Sequence, residues 1–486
     1  MISRCCLLGA LALSACLSAE CRAQTLQDAL VSAYRSHPQL EADRARQRAT
    51  DEDVSRAWGG FRPQVVASGE KGRAHDISQL QPYAGGKLPP DTRSPDQEAV
   101  QVKQEIWDGN RTLADVRHSK WAVLNGRAIL ASTEQTVLGA AVQAYYDLYR
   151  DQKILEIQNE YVRSLEKERQ AAQTRFGVKD VTRTDVAQAE ARLARGIADQ
   201  RQYEGNVATS KSAFLLAVGF PPGGNLPEPP PLPAAALPRN LDDALSLVED
   251  NPDLLAAVYA EKAAEADIDL AESGMMPDLS LQATESRGYY QDYTLSVVNT
   301  AQVVLALTIP LYDGGVASAR TRTAKHTYGQ RRLTTDYQRD RATDAVKRSW
   351  ESLQATLARI SALEENARAA LIALDGVKQE LRVGSRTVLD ELNSQQEYLD
   401  TQVALLRSRH DAAIAAYTLL LACGRLTAAS LELPVDVYDP NEHYESASWM
   451  PWSPWTNTEY PEPSKPKEDI PDAIPLPDVP LPDVLK

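Results

Sequence analysis

The chain has 486 residues, a formal net charge of −15 and only 6% aromatic residues. An acidic balance excludes nucleic acid as a main partner, because phosphate binding draws on basic patches, and it offers no polybasic anchor for a membrane. Scarce aromatics, with long stretches of Ala, Leu, Gln, Arg, Glu and Asp, fit extended helices better than the core of a globular enzyme.

Residues 1–23 read as an export leader, with Arg4 ahead of the uncharged, mostly apolar run Cys5–Ala19. That run is too short for a membrane span. Two processing sites compete. Cys21-Arg22-Ala23 predicts cleavage before Gln24, whereas Leu13-Ser14-Ala15-Cys16 fits a lipoprotein box that would lipidate Cys16. The folded-looking sequence that starts at Thr25 favours the first. Four of the five cysteines lie in this leader, so Cys423 alone remains, and no disulfide framework or zinc spacing is expected. Cys423 is expected to act as a small apolar residue near a helix end. No later segment is long and apolar enough for a spanning helix, which leaves the periplasm, secretion or an outer-membrane β-barrel.

The rest of the chain is a tandem repeat. Leu26-Gln-Asp-Ala-Leu30 matches Leu241-Asp-Asp-Ala-Leu245, and His37-Pro38-Gln39-Leu40 matches Asn251-Pro252-Asp253-Leu254. Pro63 matches Pro277, Trp107-Asp108-Gly109 matches Tyr312-Asp313-Gly314, and Asp185 matches Asp390. The first repeat is placed at 24–218 and the second at 241–444. A proline-dense linker, 219–240, joins them, and a Pro-rich tail, 445–486, is expected to be disordered.

Each repeat predicts the same order. A helix (26–58; 241–273) is followed by a strand opened by Pro63 or Pro277. A loop and a second strand come after it, the latter ending at Gly109 or Gly314. A very long helix comes next (111–175; 316–382), then a short break and a last helix (185–218; 387–423). The first-repeat loop, Asp76–Pro95, is rich in Pro, Gly and Asp. The strands rest on period-two alternation: Val100, Val102 and Ile106; Leu279, Leu281 and Ala283; Val303, Leu305, Leu307, Ile309 and Leu311. That pattern suits a wall between lipid and water, and equally an ordinary half-buried sheet. Apolar residues at three- and four-residue spacing, such as Leu353, Leu357, Ile360 and Leu363, predict coiled-coil packing of the helices. If the strands cross a membrane, four per chain cannot close a barrel, so the chain must oligomerise.

With these motifs in order, Thr25 to about Tyr444 resembles the TolC family of outer-membrane channels. The stretch Arg382-Val-Gly-Ser-Arg-Thr-Val-Leu-Asp-Glu-Leu-Asn-Ser-Gln-Gln396 carries most of the likeness. Val218-Gly-Phe-Pro-Pro-Gly223 and Leu433-Pro-Val-Asp-Val-Tyr-Asp-Pro440 resemble the branch associated with type I secretion. The resemblance implies an α+β membrane protein. Its trimer would form a twelve-stranded outer-membrane β-barrel continued by a periplasmic α-helical coiled-coil barrel. The implied partners are a periplasmic adaptor (membrane fusion) protein, an inner-membrane ABC or proton-driven transporter, and outer-membrane lipid. The gate would lie at the coiled-coil tips.

Matched to the family's motif, Arg386, Asp390 and Asp185 are the candidate periplasmic gate residues, with Asn393 standing where the family has a second aspartate. Leu381 replaces a tyrosine of the closing network, and Lys179 replaces the glycine of the first tip. Rings of aspartate would attract cations, and an arginine bound to an acidic partner would latch neighbouring coils. A plainer reading also holds: Thr182-x-x-Asp185 and Thr387-x-x-Asp390 are capping-box sequences. Gly384 and Gly177 are expected to permit the tip turns. Trp107 and Tyr312 are expected at the membrane interface or in a core.

The six histidines are scattered, and the sequence holds no HExxH, Walker or GxSxG motif. Neither a metal nor a cofactor is expected, and the chain is not expected to be an enzyme. The expected function is a passive outer-membrane exit channel for type I secretion or drug efflux. The alternative is a periplasmic coiled-coil adaptor or a structural protein.

Overall fold

The structure, a computed structural model, describes residues 25–76, 91–179, 181–232, 236–289 and 297–449. The expected leader, most of the first-repeat loop and the chain beyond Trp449 lie outside the described residues. The first repeat contains α1 (Leu26–Ser36), α2 (Pro38–Trp58), β1 (Gln64–Lys71), β2 (Ala74–Asp76), β3 (Asp91–Arg93), β4 (Asp96–Trp107), α3 (Arg111–Gly177) and α4 (Arg183–Val218). The second contains α5 (Leu241–Ser246), α6 (Pro252–Ser273), β5 (Asp278–Tyr289), β6 (Val297–Thr308), α7 (Val316–Arg382) and α8 (Val388–Ala422), and α9 (Pro440–Trp449) comes last.

Four expectations are corrected. The opening helix of each repeat is broken, at His37 and around Asn251, because Pro38 and Pro252 cannot donate to a continuing helix. His37 and Asn251 turn extended and cap the next helix, accepting from the backbone N–H of Gln39 and Asp253. The loop expected over 76–95 is in part a two-stranded ribbon, β2 against β3. Strand β6 stops at Thr308, so Ile309 and Leu311 lie beyond it, next to Pro310, which has no N–H to pair. Residues 445–449, expected in the tail, are helical in α9, where Ala447 is buried.

The main sheet is fully antiparallel in the order β1-β4-β5-β6, so the repeats join through β4 and β5. Its register aligns Val65, Val102, Ala283 and Val303 in one row, and Leu281 with Leu305. Directly opposed residues share a face, so an apolar row crosses all four strands on one face. The other carries Gln101, Lys103, Gln282, Thr284 and Gln302. The apolar face is open: Val303 is 72% and Leu305 61% exposed. A bulge between Glu105 and Trp107 shifts the pairing at the foot of β4.

Strand passes to helix by the same device twice. Gly109 and Asn110, and Gly314 and Gly315, each take two successive left-handed steps. Asp108 then accepts from the N–H of Thr112 (2.8 Å), and Asp313 from the N–H of Ala317. These carboxylates satisfy donors that a helix start leaves unpaired. At Gly109 space is also limiting: an added Cβ would lie 2.5 Å from Met276 Cβ.

Helices α3 and α7 have 67 residues each, about 100 Å of rise. Helix α3 is flanked by α2 and α6 towards the sheet and by α4 and α8 towards the tips. Helix α7 is flanked mainly by α6 and α8, and it also touches α5. The largest core lies at mid-height, where α1, α3, the end of α4 and α8 meet, with Tyr145, Phe214 and Leu420 fully buried. The linker is strapped onto α3: Tyr145 Oη donates to the carbonyl of Pro227, and Gln152 bonds to Gly224 and Leu226. Cys423 is buried beside α5, and burial pushes its thiol up to about 11.

Several scattered histidines become ties between segments. His118 Nδ1 meets Asp267 Oδ1 on α6 at 2.7 Å, His410 lies between Asp147 and Asp411, and His443 meets Glu52. The hydrogen bond to Asp267, against the opposing effect of burial, raises the His118 pKa above its ordinary value. A raised folded pKa gives stability that is fully present below the unfolded value and lost as pH rises through the folded one. The unfolding temperature of wild type should therefore exceed that of His118→Gln near pH 5.5 and converge with it near pH 9, by helical circular dichroism across roughly that range.

Candidate functional site

The far ends of the two helical hairpins carry the expected gate residues. At the second tip, α7 ends at Arg382, and Gly384 takes the left-handed conformation, φ +77°. Ser385 donates to the carbonyl of Glu380 through both N–H and Oγ, 3.0 Å each. Arg386 Nε then reaches Glu380 Oε2 at 2.8 Å across the turn. The arginine therefore has an acidic partner in its own hairpin, and both side chains are about half exposed.

Thr387 and Asp390 form a complete capping box at the start of α8. Thr387 N–H and Oγ1 donate to Asp390 Oδ2 at 3.0 and 2.8 Å, and Asp390 N–H returns a bond to Thr387 Oγ1. The bond from the Thr387 backbone, followed by that from its hydroxyl, holds the Asp390 carboxyl below the usual range, and Arg386 adds a smaller contribution. Thr182 and Asp185 repeat the box at the start of α4, at 2.8 Å for both donors. Both aspartates are thus capping residues, half-buried at the tips.

The two tips differ in the turn itself. Gly177 is the last helical residue of α3, so the expected role of Gly177 as the turn residue is corrected. The left-handed position falls to Lys179, φ +64°. With the capping boxes aligned, Lys179 stands where Gly384 stands and Val181 where Arg386 stands. The arginine–glutamate bond therefore has no counterpart at the first tip.

Asn393 accepts from Arg192 Nη2 at 2.8 Å, joining α4 to α8. Higher up, Tyr161 Oη donates to Gln396 at 2.9 Å, above a small core of Leu165, Leu193, Leu392 and Leu399. The two hairpins of one chain are thus bonded side by side. Arg192, Tyr161 and Gln396 were not singled out from the sequence. Their helical spacing marks an amphipathic face, and no local motif sets them apart. Among the described residues, no hydrogen bond or ion pair joins Asp185 to Arg386 or Asp390.

At the other end, Pro63 and Pro277 directly precede β1 and β5, and Gly109 and Gly314 lie between strand and long helix. Trp107 and Tyr312 are exposed at this level, so neither belongs to the core of the chain.

The helix–strand–strand–helix plan occurs in duplicate, and the comparisons with known proteins divide at the same place. The profile of the family described as "Outer membrane efflux protein" matches residues 29–219 and again 245–425, one match in each repeat. The chain belongs to the outer membrane efflux protein family. It is 34% identical over 428 residues to the outer membrane efflux protein BepC of Brucella suis, covering 87% of this chain and 90% of that one. It is 25% identical over 316 residues to the alkaline protease secretion protein AprF of Pseudomonas aeruginosa, covering 62% of this chain and 64% of that one. Its fold matches the Campylobacter jejuni CmeC outer membrane channel with a TM-score of 0.75 at 14% identity, over 87% of this chain and 89% of that one. The protein is accordingly a non-enzymatic outer-membrane channel component with a large helical portion in the periplasm. The adaptor and structural alternatives are set aside.

The capping boxes give a local expectation. Thr387→Ala should speed amide exchange at residues 387–391 by about tenfold, as expected for loss of a helix cap. Hydrogen exchange of the detergent-solubilised protein checks this, and unchanged exchange would show that the box does not hold the tip.

Proposed function

We propose that three copies of this chain close into a single exit duct, gated at the paired tips. One observation carries the reading: the wall has the same lateral order at every height, with both flanks open. In the sheet the order is β1-β4-β5-β6, towards it α2-α3-α6-α7, and towards the tips α4-α3-α8-α7. The edges β1 and β6 are unpaired among the described residues. Unpaired backbone in lipid costs several kcal/mol per group, so edge must meet edge of the next copy. The exposed flank of α7, with Leu333 at 71% and Ile372 at 67% exposure, supplies the apolar surface that α2 and α4 of a neighbour would cover. Three copies give a barrel of about twelve strands, within the range of bacterial outer-membrane barrels. A leader at residues 1–23 fits export.

At the tips, symmetry would repeat Asp390 and Asp185 as acidic rings around the pore mouth. Such rings favour cations. Arg386 holds the second tip compact through Glu380 and would have to release it for the mouth to widen. With Asn393 in place of an acid, the inner ring carries less charge, and Arg192 binds it as a neutral partner. Energy comes from elsewhere: a periplasmic adaptor and an inner-membrane transporter, ABC or proton-driven, dock at these tips. Protein secretion by the type I route is the favoured use. It is supported by the segment 433–440 and by the likeness to proteins named for protease secretion.

Single-channel recording in planar bilayers tests the gate. Wild type should show a small, cation-selective conductance. Asp390→Ala should lower the cation preference, and Arg386→Ala should raise conductance about twofold or more. If correctly inserted oligomer shows no difference among the three, the gate assignment fails. A heat-modifiable species of three times the chain mass is the accompanying expectation, and a stable monomer in membranes would defeat the ring.

A further inference from the structure

Glu391 lies in the first turn of α8, beside the Asp390 cap, yet it is only 6% exposed. It is buried where α8 packs on α3, next to Leu392, which shares a core with Leu165. A carboxylate taken out of water needs a cation, a proton or several donors around it. Among the described residues Glu391 forms no ion pair, and its one side-chain hydrogen bond is long, from Gln395 Nε2 at 3.4 Å.

A second carboxylate stands near it. Glu168 lies one turn from Leu165 on α3, on the tip side, and it too forms no ion pair among the described residues. Burial, followed by the negative charge of Glu391, raises the Glu168 carboxyl above its usual range. Arg175 on the same helix and Lys378 on α7 act against this rise, but neither forms an ion pair with either glutamate among the described residues. Arg169, next to Glu168, pairs with neither, and its Nε is buried without a partner.

The third observation is independent of charge. Gln395 is one turn on from Glu391 and 6% exposed, and its Oε1 is buried with no hydrogen-bond partner. Its Nε2 already meets Glu391, so the amide head sits at the carboxylate. A proton shared by the two glutamates would leave this oxygen bare, whereas a cation between them would take all three oxygens. No group of three or more His, Cys, Asp or Glu side chains is placed for a metal among the described residues, so the third protein donor is the amide. Carboxylate and carbonyl oxygens are the donors that hard cations prefer, and calcium tolerates the irregular shell of a site split between two helices.

We propose that Glu168, Glu391 and Gln395 Oε1 hold one calcium-class divalent cation between α3 and α8, close above the tips. Glu168 belongs to the first hairpin and Glu391 to the second, so the ion ties the two hairpins of one chain. It acts alongside the Arg192–Asn393 and Tyr161–Gln396 bonds. Glu168 is seven residues from Tyr161 towards the tip, about 10 Å along α3. Loading the site would stiffen the paired hairpins, and emptying it would leave two like charges in an apolar seam. The site is separate from Asp185 and Asp390, which are engaged as caps, and it lies within a single chain. It therefore does not depend on how copies assemble.

The test uses the full-length protein, stripped of metal and held in detergent, with calcium chloride as the probe. Wild type should take up about one calcium per chain in equilibrium dialysis, with a Kd on the order of 0.1–1 mM, the range of weak protein calcium sites. At ten times that Kd, amide exchange should slow about tenfold across residues 165–172 and 391–397. Glu168→Gln and Glu391→Gln should each weaken uptake about tenfold or more, and Asp390→Asn should leave it unchanged. No uptake by wild type at about 10 mM calcium would overturn the proposal. So would uptake that survives both glutamine substitutions, or that is lost in Asp390→Asn, which would put the ion at the mouth. Binding that slows exchange elsewhere and not in these two segments would overturn it too. If wild type takes up no calcium and Glu391→Gln unfolds at a higher temperature, a shared proton neutralises the pair instead.

Discussion

A sheet with two open edges cannot remain in lipid, and the rest of this structure depends on that constraint. Strands β1 and β6 present unpaired backbone on opposite sides of a four-stranded sheet. The same two sides are open in the helical tiers, where α2 and α4 flank the first repeat and α7 the second. The wall is thus a fixed-width panel from tips to barrel. Its stability in the membrane belongs to the assembly, while its shape belongs to the single chain. The mid-height core and the strapped linker hold that shape, and the hairpins stay in register through Tyr161–Gln396 and Arg192–Asn393.

The two tips share a frame and differ in how the turn is held. Their capping boxes are the same to within a few tenths of an ångström, because Thr and Asp three residues apart satisfy a helix start wherever it occurs. The turns ahead of the boxes are unlike. Gly384 takes a left-handed conformation at no steric cost, whereas Lys179 takes it with a side chain. The Arg386–Glu380 bond is present at one tip only. In the proposed ring, braced and unbraced tips would alternate, and opening would begin at one class of hairpin.

Much of this was legible in the sequence because it is local. Proline before each strand, Asp-Gly at each strand-to-helix joint, and Thr-x-x-Asp at each descending helix all act within a few residues. The alternation of Val303, Leu305 and Leu307 predicted one apolar face, although alternation alone could not separate lipid from a covering layer. The errors were also local. Pro38 and Pro252 interrupt helices whose periodicity runs straight through them. Gly177 drew attention because it is glycine, while the backbone placed the strained step two residues later. What could not be read were the pairings between distant segments. Arg192 with Asn393, Arg127 with Asn441 and His118 with Asp267 join residues whose separation in sequence carries no signal of their meeting.

The mid-height core has a consequence for how the chain folds. It brings together Leu26 and Leu30 near one end of the sequence, Phe214 and Val218 from the middle, and Leu426 and Leu433 near the other. Ser32 bonds to the carbonyl of Val218, and Tyr34 to the N–H of Tyr438. Such a core has high contact order, and its loop-closure entropy is lost before its contacts can repay it. The first repeat cannot complete its packing as it emerges. It must wait until the last helices have crossed into the same compartment, and through that interval its apolar strands need keeping from one another.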